Sequence, residues 1–409
     1  MSFKLRDYQQ EAADKVTAKL KEHKICILNG EVRIGKTHVS LNVASKYNNV
    51  LFITKKKAIS SIEDDYRTAG YKFNITIINY ESLHKVTGVF DLVICDESHN
   101  MAAFPKPSKR TKAVKQFVKN DLILMTGTLL PESNSQIFHQ LWVSPYTPYK
   151  GNFYKWHKTF GTPAKIFTSY GEANDYSQVN YSKIEIMLNR FKVVVTQAQA
   201  GFTTKVKSHI LKVDLKPQTI KLMDKLRKNG IIEGKEDIVL AETGVKMMGK
   251  LHQLSSGTVK LESGKAITID TTKVDFIENY FRGKKMAIFY YYKQEREMLI
   301  NKFGDTVTED LNEFNNTDKH IALQQISGAE GVNLSAADVL IFVNFGFSNT
   351  KFVQSKDRLT TKERKENDVY YILSNKGIDN KVYKAVSNKK DYILQTFRQD
   401  ERNILPEED

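Results

Sequence analysis

In the stretch GEVRIGKT, the types and spacing of Gly30, Gly35, Lys36 and Thr37 are those needed to hold a phosphate chain. The glycines let a loop fold so that successive N–H groups point at an anion, and a helix that follows turns its positive end toward the same charge. Lys36 would neutralise the β- and γ-phosphates of a nucleoside triphosphate, and the Thr37 hydroxyl would ligate Mg²⁺. A second group lies about 60 residues on, in VFDLVICDESHN, where an apolar run ends in Asp96-Glu97. Asp96 would hold Mg²⁺ through water, while Glu97 would orient or deprotonate the attacking water. The two groups together imply binding and hydrolysis of a nucleoside triphosphate.

These side chains need strands and helices to position them. KICILNG reads as a strand and KTHVSLNVASKY as the helix after it, followed by the strands VLFIT, ITIINY, FDLVICDE and LILMTGT. Their ends carry Thr54, Asn79, Asp96 and Thr126, and open parallel sheets bind ligands at the carboxyl ends of their strands. From about residue 131 the chain becomes aromatic, basic and turn-rich, with YSKIEIMLNRF as a helix, and Lys216 to about Leu254 reads as helical. Strands return in KKMAIFYYY, HIALQQIS, DVLIFVNF and DVYYILSN. The expected fold class is α/β, with two parallel-sheet lobes and helical insertions between them. The expected divisions are a first lobe at 1–140, an aromatic-basic protrusion at 141–205, a linker and helical protrusion at 206–265, and a second lobe at 266–409.

A chain of 409 residues suits two domains, and its 41% hydrophobic and 27% charged content is that of a globular protein. No run reaches the roughly 18–20 apolar residues of a membrane span, and MSFKLRDYQQEAADKV lacks the apolar core of a signal peptide. A cytoplasmic protein with no membrane partner is expected. The two cysteines, Cys26 and Cys95, exclude a disulfide framework or a four-thiolate zinc site and read as small buried hydrophobes. The net charge is +15, and residues 101–200 carry 13 Lys/Arg against 5 Asp/Glu, a surplus of 8. Such a surplus attracts a polyanion through counterion release.

The motifs resemble, in order, those of superfamily-two helicase-like ATPases. LRDYQ (Leu5–Gln9), the phosphate loop, DESH (Asp96–His99) and LMTGT (Leu124–Thr128) lie in the first half; SGAEGVNLSAADVLIF and QSKDRLTTKERK lie in the second. More narrowly they resemble the Swi/Snf-type double-stranded DNA translocases, in Tyr8-Gln9, Gly331–Leu334, Ala336–Asp338 and the segment from Gln354 to Arg358 ahead of Val369–Tyr371. The resemblance implies two RecA-like (P-loop) lobes with ATP held between them and hydrolysis driving movement along double-stranded DNA. It implies that Gln9 reads the adenine edge, that Arg358 is the arginine finger with Gln354 in support, and that Gly331 belongs to the nucleotide site. His99, Thr126 and Thr128 would couple that site to the DNA face. Thr54, Lys55, Lys56, Asn79 and Tyr80 in the first lobe, and Tyr290, Tyr291, Ser327 and Gly328 in the second, would track the strand.

Two positions depart from the family pattern. Thr361 stands where a second arginine is usual, which leaves Arg358 alone or helped by Lys362 or Arg364, and Glu330 stands where an apolar or small residue is usual. The chain is short for the group, which suggests a compact bacterial or bacteriophage version; a monomer in solution is also expected. Two other functions use the same residues. One is a strand-separating helicase on single-stranded DNA or RNA, with FTSYGEANDYS as a loop that could serve as its wedge; the other is a nucleotide-switched nucleic-acid clamp with little turnover.

Overall fold

The structure is a computed structural model, and it describes residues 4–130, 133–149, 151–168, 171–234, 237–328, 332–361, 364–388, 391–392 and 394–401. The chain divides into two compact units, Met1–Phe202 and Thr203–Asp409. Each is built on a six-stranded, wholly parallel sheet, so the expected pair of RecA-like α/β lobes is present.

In the first unit the strands are β1 (Ile25–Gly30), β2 (Asn49–Thr54), β3 (Asn74–Asn79), β4 (Leu92–Cys95), β5 (Asp121–Thr126) and β6 (Lys192–Val195), arranged 3-2-4-5-1-6. Side chains alternate across a strand, so the apolar runs fill two cores at once. Ile25, Ile27, Leu51, Ile53, Val93, Leu122 and Leu124 pack on one face. Cys26, Leu28, Val50, Phe52, Ile94, Ile123 and Met125 pack on the other. Cys26 and Cys95 are both buried free thiols, and they fall in different cores. Helix α1 (Asp7–His23) lies on the second face through Ala12, Ala13, Val16 and Leu20.

The second unit contains β7 (Lys205–Val213), β8 (Met286–Tyr290), β9 (Val307–Thr308), β10 (His320–Gln324), β11 (Val339–Phe342) and β12 (Glu366–Ser374), arranged 9-10-8-11-12-7. Ala287, Phe289, Leu340, Phe342 and Tyr371 fill one core, and Met286, Ile288, Val339, Ile341 and Ile372 fill the other.

Three local expectations change. KVVV (192–195) and KVKSHILKV (205–213) are edge strands that complete the two sheets. The stretch from Lys216 to Leu254 is not continuously helical: a helix Pro217–Asn229 stops at Gly230, which is left-handed at φ 69°, and a hairpin of Ile231–Glu233 with Ile238–Leu240 precedes a second helix, Gly244–Ser255. FTSYGEANDYS lies largely in an antiparallel hairpin of Ala164–Thr168 with Gly171–Asp175. Among the described residues no helix is long and apolar enough to cross a membrane.

Candidate nucleotide site

The first unit gathers its candidate residues at the carboxyl ends of β1, β2, β4 and β5. Strand β1 ends at Gly30, and helix α2 (Lys36–Ala44) begins at Lys36, with Gly35 as its N-cap. Both glycines are closely approached by neighbouring side chains. A Cβ on Gly30 would lie 2.8 Å from Ile34 Cδ1. Gly35 has φ 77°, and a Cβ there would come within 2.3 Å of Gln9 Nε2. The Lys36 ammonium lies back across its own loop, donating to the carbonyl of Gly30 at 2.8 Å and that of Glu31 at 3.1 Å. Thr37 is the second residue of α2, where backbone N–H groups and the helix dipole favour an anion.

The loop is pinned from both sides. Gln9 is buried; its Nε2 donates to the Ile34 carbonyl at 3.1 Å, and its Oε1 accepts from Arg6 N at 3.0 Å. Tyr8 Oη donates to the same Ile34 carbonyl at 3.2 Å. On the other side Gln197 Nε2 donates to the Val32 carbonyl at 3.1 Å, and Glu31 N donates to Val195 O at 3.0 Å. Sequence reading missed Gln197, because its role depends on β6 pairing with β1. The β-branched run KVVV was the available signal.

Asp96 follows β4. Its Oδ2 accepts from the Thr54 hydroxyl at 2.8 Å, and its Oδ1 accepts from Glu97 N at 3.0 Å. The carboxylate is enclosed although the residue keeps some accessible surface. Burial, and then the neighbouring Glu97, push its pKa up to about 6, against the pull of Thr54 and Lys36. Glu97 is left-handed at φ 48°, and its Oε2 is buried without a hydrogen bond, 3.3 Å from His99 Nδ1. His99 Nδ1 also lies 3.0 Å from Thr126 Oγ1, whose proton is given to the Thr128 carbonyl at 3.0 Å. That assignment puts the imidazole proton on Nδ1, donated to Thr126. A Cβ on Gly127 would lie 3.5 Å from Gly30 O and 3.9 Å from Lys36 Nζ, so the TGT loop runs against the phosphate loop.

Three residues expected to track a polymer turn inward instead. Thr54 is fully buried and spends its hydroxyl on Asp96. Tyr80 is buried and donates to the Asp96 carbonyl at 2.7 Å. Tyr290 is buried with its hydroxyl on Glu309 Oε1 at 3.1 Å. Lys56 is exposed and Lys55 partly so, while Asn79 donates to Glu81 at 3.0 Å.

In the second unit Gln354 lies on the helix Asn349–Lys356, and Arg358 in the turn that follows it. Both side chains are buried, and the Arg358 carbonyl accepts from Leu334 N at 3.0 Å. Arg364, expected as a possible helper of Arg358, turns its side chain to backbone carbonyls. Its guanidinium is committed to the carbonyls of Ala337 at 2.6 Å, Asp338 at 2.5 Å and Glu366 at 3.1 Å. Tyr291 N donates to the buried Glu295 at 2.7 Å, and the Tyr291 carbonyl accepts from Gln324 at 3.0 Å. Ser327 and Gly328 end the short helix Gln325–Gly328. Gly331, Glu330 and Lys362 lie outside the described residues.

Comparison with known proteins adds three findings. The sequence model of the SNF2-related domain matches residues 37–260, which is 224 of the 409 residues. Among curated proteins none matches. A solved structure described as the Sulfolobus solfataricus SWI2/SNF2 ATPase core in complex with dsDNA is similar over 98% of this chain and 96% of that chain, at 16% sequence identity and a TM-score of 0.44.

Proposed function

The chain belongs to the SNF2-related domain family, and from that membership and the geometry of the first unit we propose that it is an ATP-hydrolysing motor that moves along double-stranded DNA. The observation that carries the reading is the convergence of Lys36, Asp96, Glu97 and the Thr126–Thr128 loop at one end of a parallel sheet. That end is where such sheets bind ligands.

The donor set fits a hard divalent cation, because an aliphatic hydroxyl and a carboxylate are hard oxygen donors that suit Mg²⁺ shared with phosphates. Thr37 and Asp96 would hold that ion, which when bound neutralises charge on the phosphate oxygens. Lys36 exchanges its two loop carbonyls for the β- and γ-phosphates. Thr54 keeps the Asp96 carboxylate oriented. Glu97 holds a buried oxygen without a hydrogen bond, which suits a group that accepts a proton from water. When that proton arrives, the His99 imidazole beside it registers the change, and Thr126 passes it to the TGT loop. From the family resemblance, Arg358 stabilises charge on the transferring phosphoryl group, with Gln354 beside it in sequence. The net charge of +15 suits a polyanionic track.

The test is ATP turnover by the full chain, compared with no polymer, single-stranded DNA, duplex DNA and RNA. Duplex DNA is expected to give the largest stimulation, and Lys36→Ala and Glu97→Gln are expected to abolish turnover. A rate indifferent to duplex DNA would remove translocation from the reading. A second reading, strand separation, is favoured by the hairpin at Ala164–Asp175, a shape that suits a wedge. Displacement of a triplex strand without unwinding of a fork favours translocation; fork unwinding favours the second reading.

A further inference from the structure

Among the described residues, three that are not glycine adopt the left-handed backbone: Lys24, Arg33 and Glu97. Lys24 ends α1, and its N–H closes the last turn onto Leu20 O, an ordinary use of that conformation. The other two lie in the nucleotide site. Arg33, at φ 66°, sits in the middle of the phosphate loop. A glycine adopts this conformation freely, whereas a side chain meets its own backbone there.

The surroundings hold Arg33 in that conformation. The carbonyl before it, on Val32, is taken by Gln197, and the carbonyl after it, on Ile34, is taken by Gln9 and Tyr8. Left-handed Arg33 and left-handed Gly35 alternate with Ile34, which is not left-handed. Such alternation curls consecutive peptide N–H groups into an anion-binding concavity. Arg33 is therefore part of the backbone of the cradle itself, three residues before Lys36, which opens the helix.

We propose that Arg33 is a second cation of the phosphate loop, engaging the phosphate chain of the bound nucleotide together with Lys36. A guanidinium offers planar paired donors that match two phosphate oxygens at once, which the single ammonium of Lys36 cannot do. Contact with phosphate offsets the backbone cost of keeping a side chain at this position. The proposal rests on the ATP site described above.

The experiment uses the full chain, measuring binding of ATP, ADP and AMP and steady-state ATP turnover. Arg33→Gly relieves the backbone and removes the charge. Arg33→Asn removes the charge but keeps a residue that tolerates the left-handed region, and serves if the glycine variant folds poorly. Arg33→Lys restores charge without the fork. Arg33→Gly is expected to melt no lower than the wild type, yet to bind ATP about tenfold more weakly, as loss of a charge-assisted hydrogen bond predicts. ADP should weaken by a comparable factor and AMP by much less, with Arg33→Lys intermediate. Unchanged or improved ATP binding and turnover in Arg33→Gly and Arg33→Asn would overturn the proposal, as would an equal loss for all three nucleotides. A wild-type chain that bound no ATP would instead refute the nucleotide site itself, so the two failures are distinguishable.

Discussion

Replacing Asp96 by Asn should stabilise the metal-free protein while destroying its activity. The Asp96 carboxyl titrates at about 6 instead of 3.8, because it is buried and faces Glu97. A group whose pKa rises on folding contributes fully below its unfolded value, and that contribution is lost as pH climbs through the folded value. At pH 8 the folded chain therefore carries an ionised carboxylate at a cost of ~3 kcal/mol relative to the unfolded chain. Asn keeps one carbonyl acceptor for Glu97 N, but its amide meets Thr54 Oγ1, which must turn its proton elsewhere. That mismatch returns about 1 kcal/mol. The net gain at pH 8 is about 2 kcal/mol, or roughly 4–8 °C in the melting temperature of a unit of this size. The assay is thermal unfolding of wild type and Asp96→Asn in chelator at pH 8 and pH 4.5, followed by ATP turnover with Mg²⁺ at pH 8. The increment should be present at pH 8 and shrink toward zero or reverse at pH 4.5, where the wild-type carboxyl is protonated. A variant that melts at or below the wild type at pH 8, or an increment that ignores pH, would refute the reasoning.

Thr54→Val should lower ATP turnover by removing the hydroxyl bonded to Asp96 at 2.8 Å, while leaving the affinity for duplex DNA in the absence of nucleotide unchanged. A selective loss of DNA affinity would instead return Thr54 to the polymer-facing role expected from sequence. His252 is fully buried 2.8 Å from Tyr292 Oη, and burial lowers its pKa to about 3. Its contribution to stability is complete above 6.5 and declines as pH falls toward 3, by about 3 kcal/mol at pH 4.5. Denaturant titrations of His252→Phe should therefore lose less stability between pH 7 and 4.5 than the wild type; parallel losses would contradict this. Lys273 and Asp379 form a buried ion pair at 2.8 Å, and Lys273→Met should cost about 3–5 kcal/mol by stranding the carboxylate. Adding Asp379→Asn should recover part of that loss in the same unfolding assay, and no recovery would mean that the pair does not act as a unit.

The local pattern of the chain determined a good deal. Runs such as ICIL and LVIC alternate between two faces of a sheet and are apolar on both, so they declare buried parallel strands before any contact is known. GEVRIGKT declares a cradle because its turn needs glycine at fixed places, and two of those needs appear in the structure as close approaches at Gly30 and Gly35. The edge strands were harder to read. KVKSHILKV carries three lysines and a histidine and no continuous apolar run, and its strand character comes from nine-residue pairing with β12, a partner about 160 residues away.

Tertiary structure alone decided which hydroxyls face inward. Thr54, Tyr80 and Tyr290 lie at strand ends or just beyond them, where a polar residue has two choices: to meet solvent or to satisfy a neighbour. The choice depends on what the adjacent strand brings to the same level. Pairing of β2 with β4 brings Asp96 beside Thr54, so that hydroxyl stabilises a buried carboxylate rather than meeting water. Arg364 follows the same logic, since four carbonyls at or before the starts of β11 and β12 needed a donor and a guanidinium could serve them all. Residue type and spacing name the chemistry available to a chain, but a polar side chain's role is set by the partners that long-range pairing places within 3 Å of it.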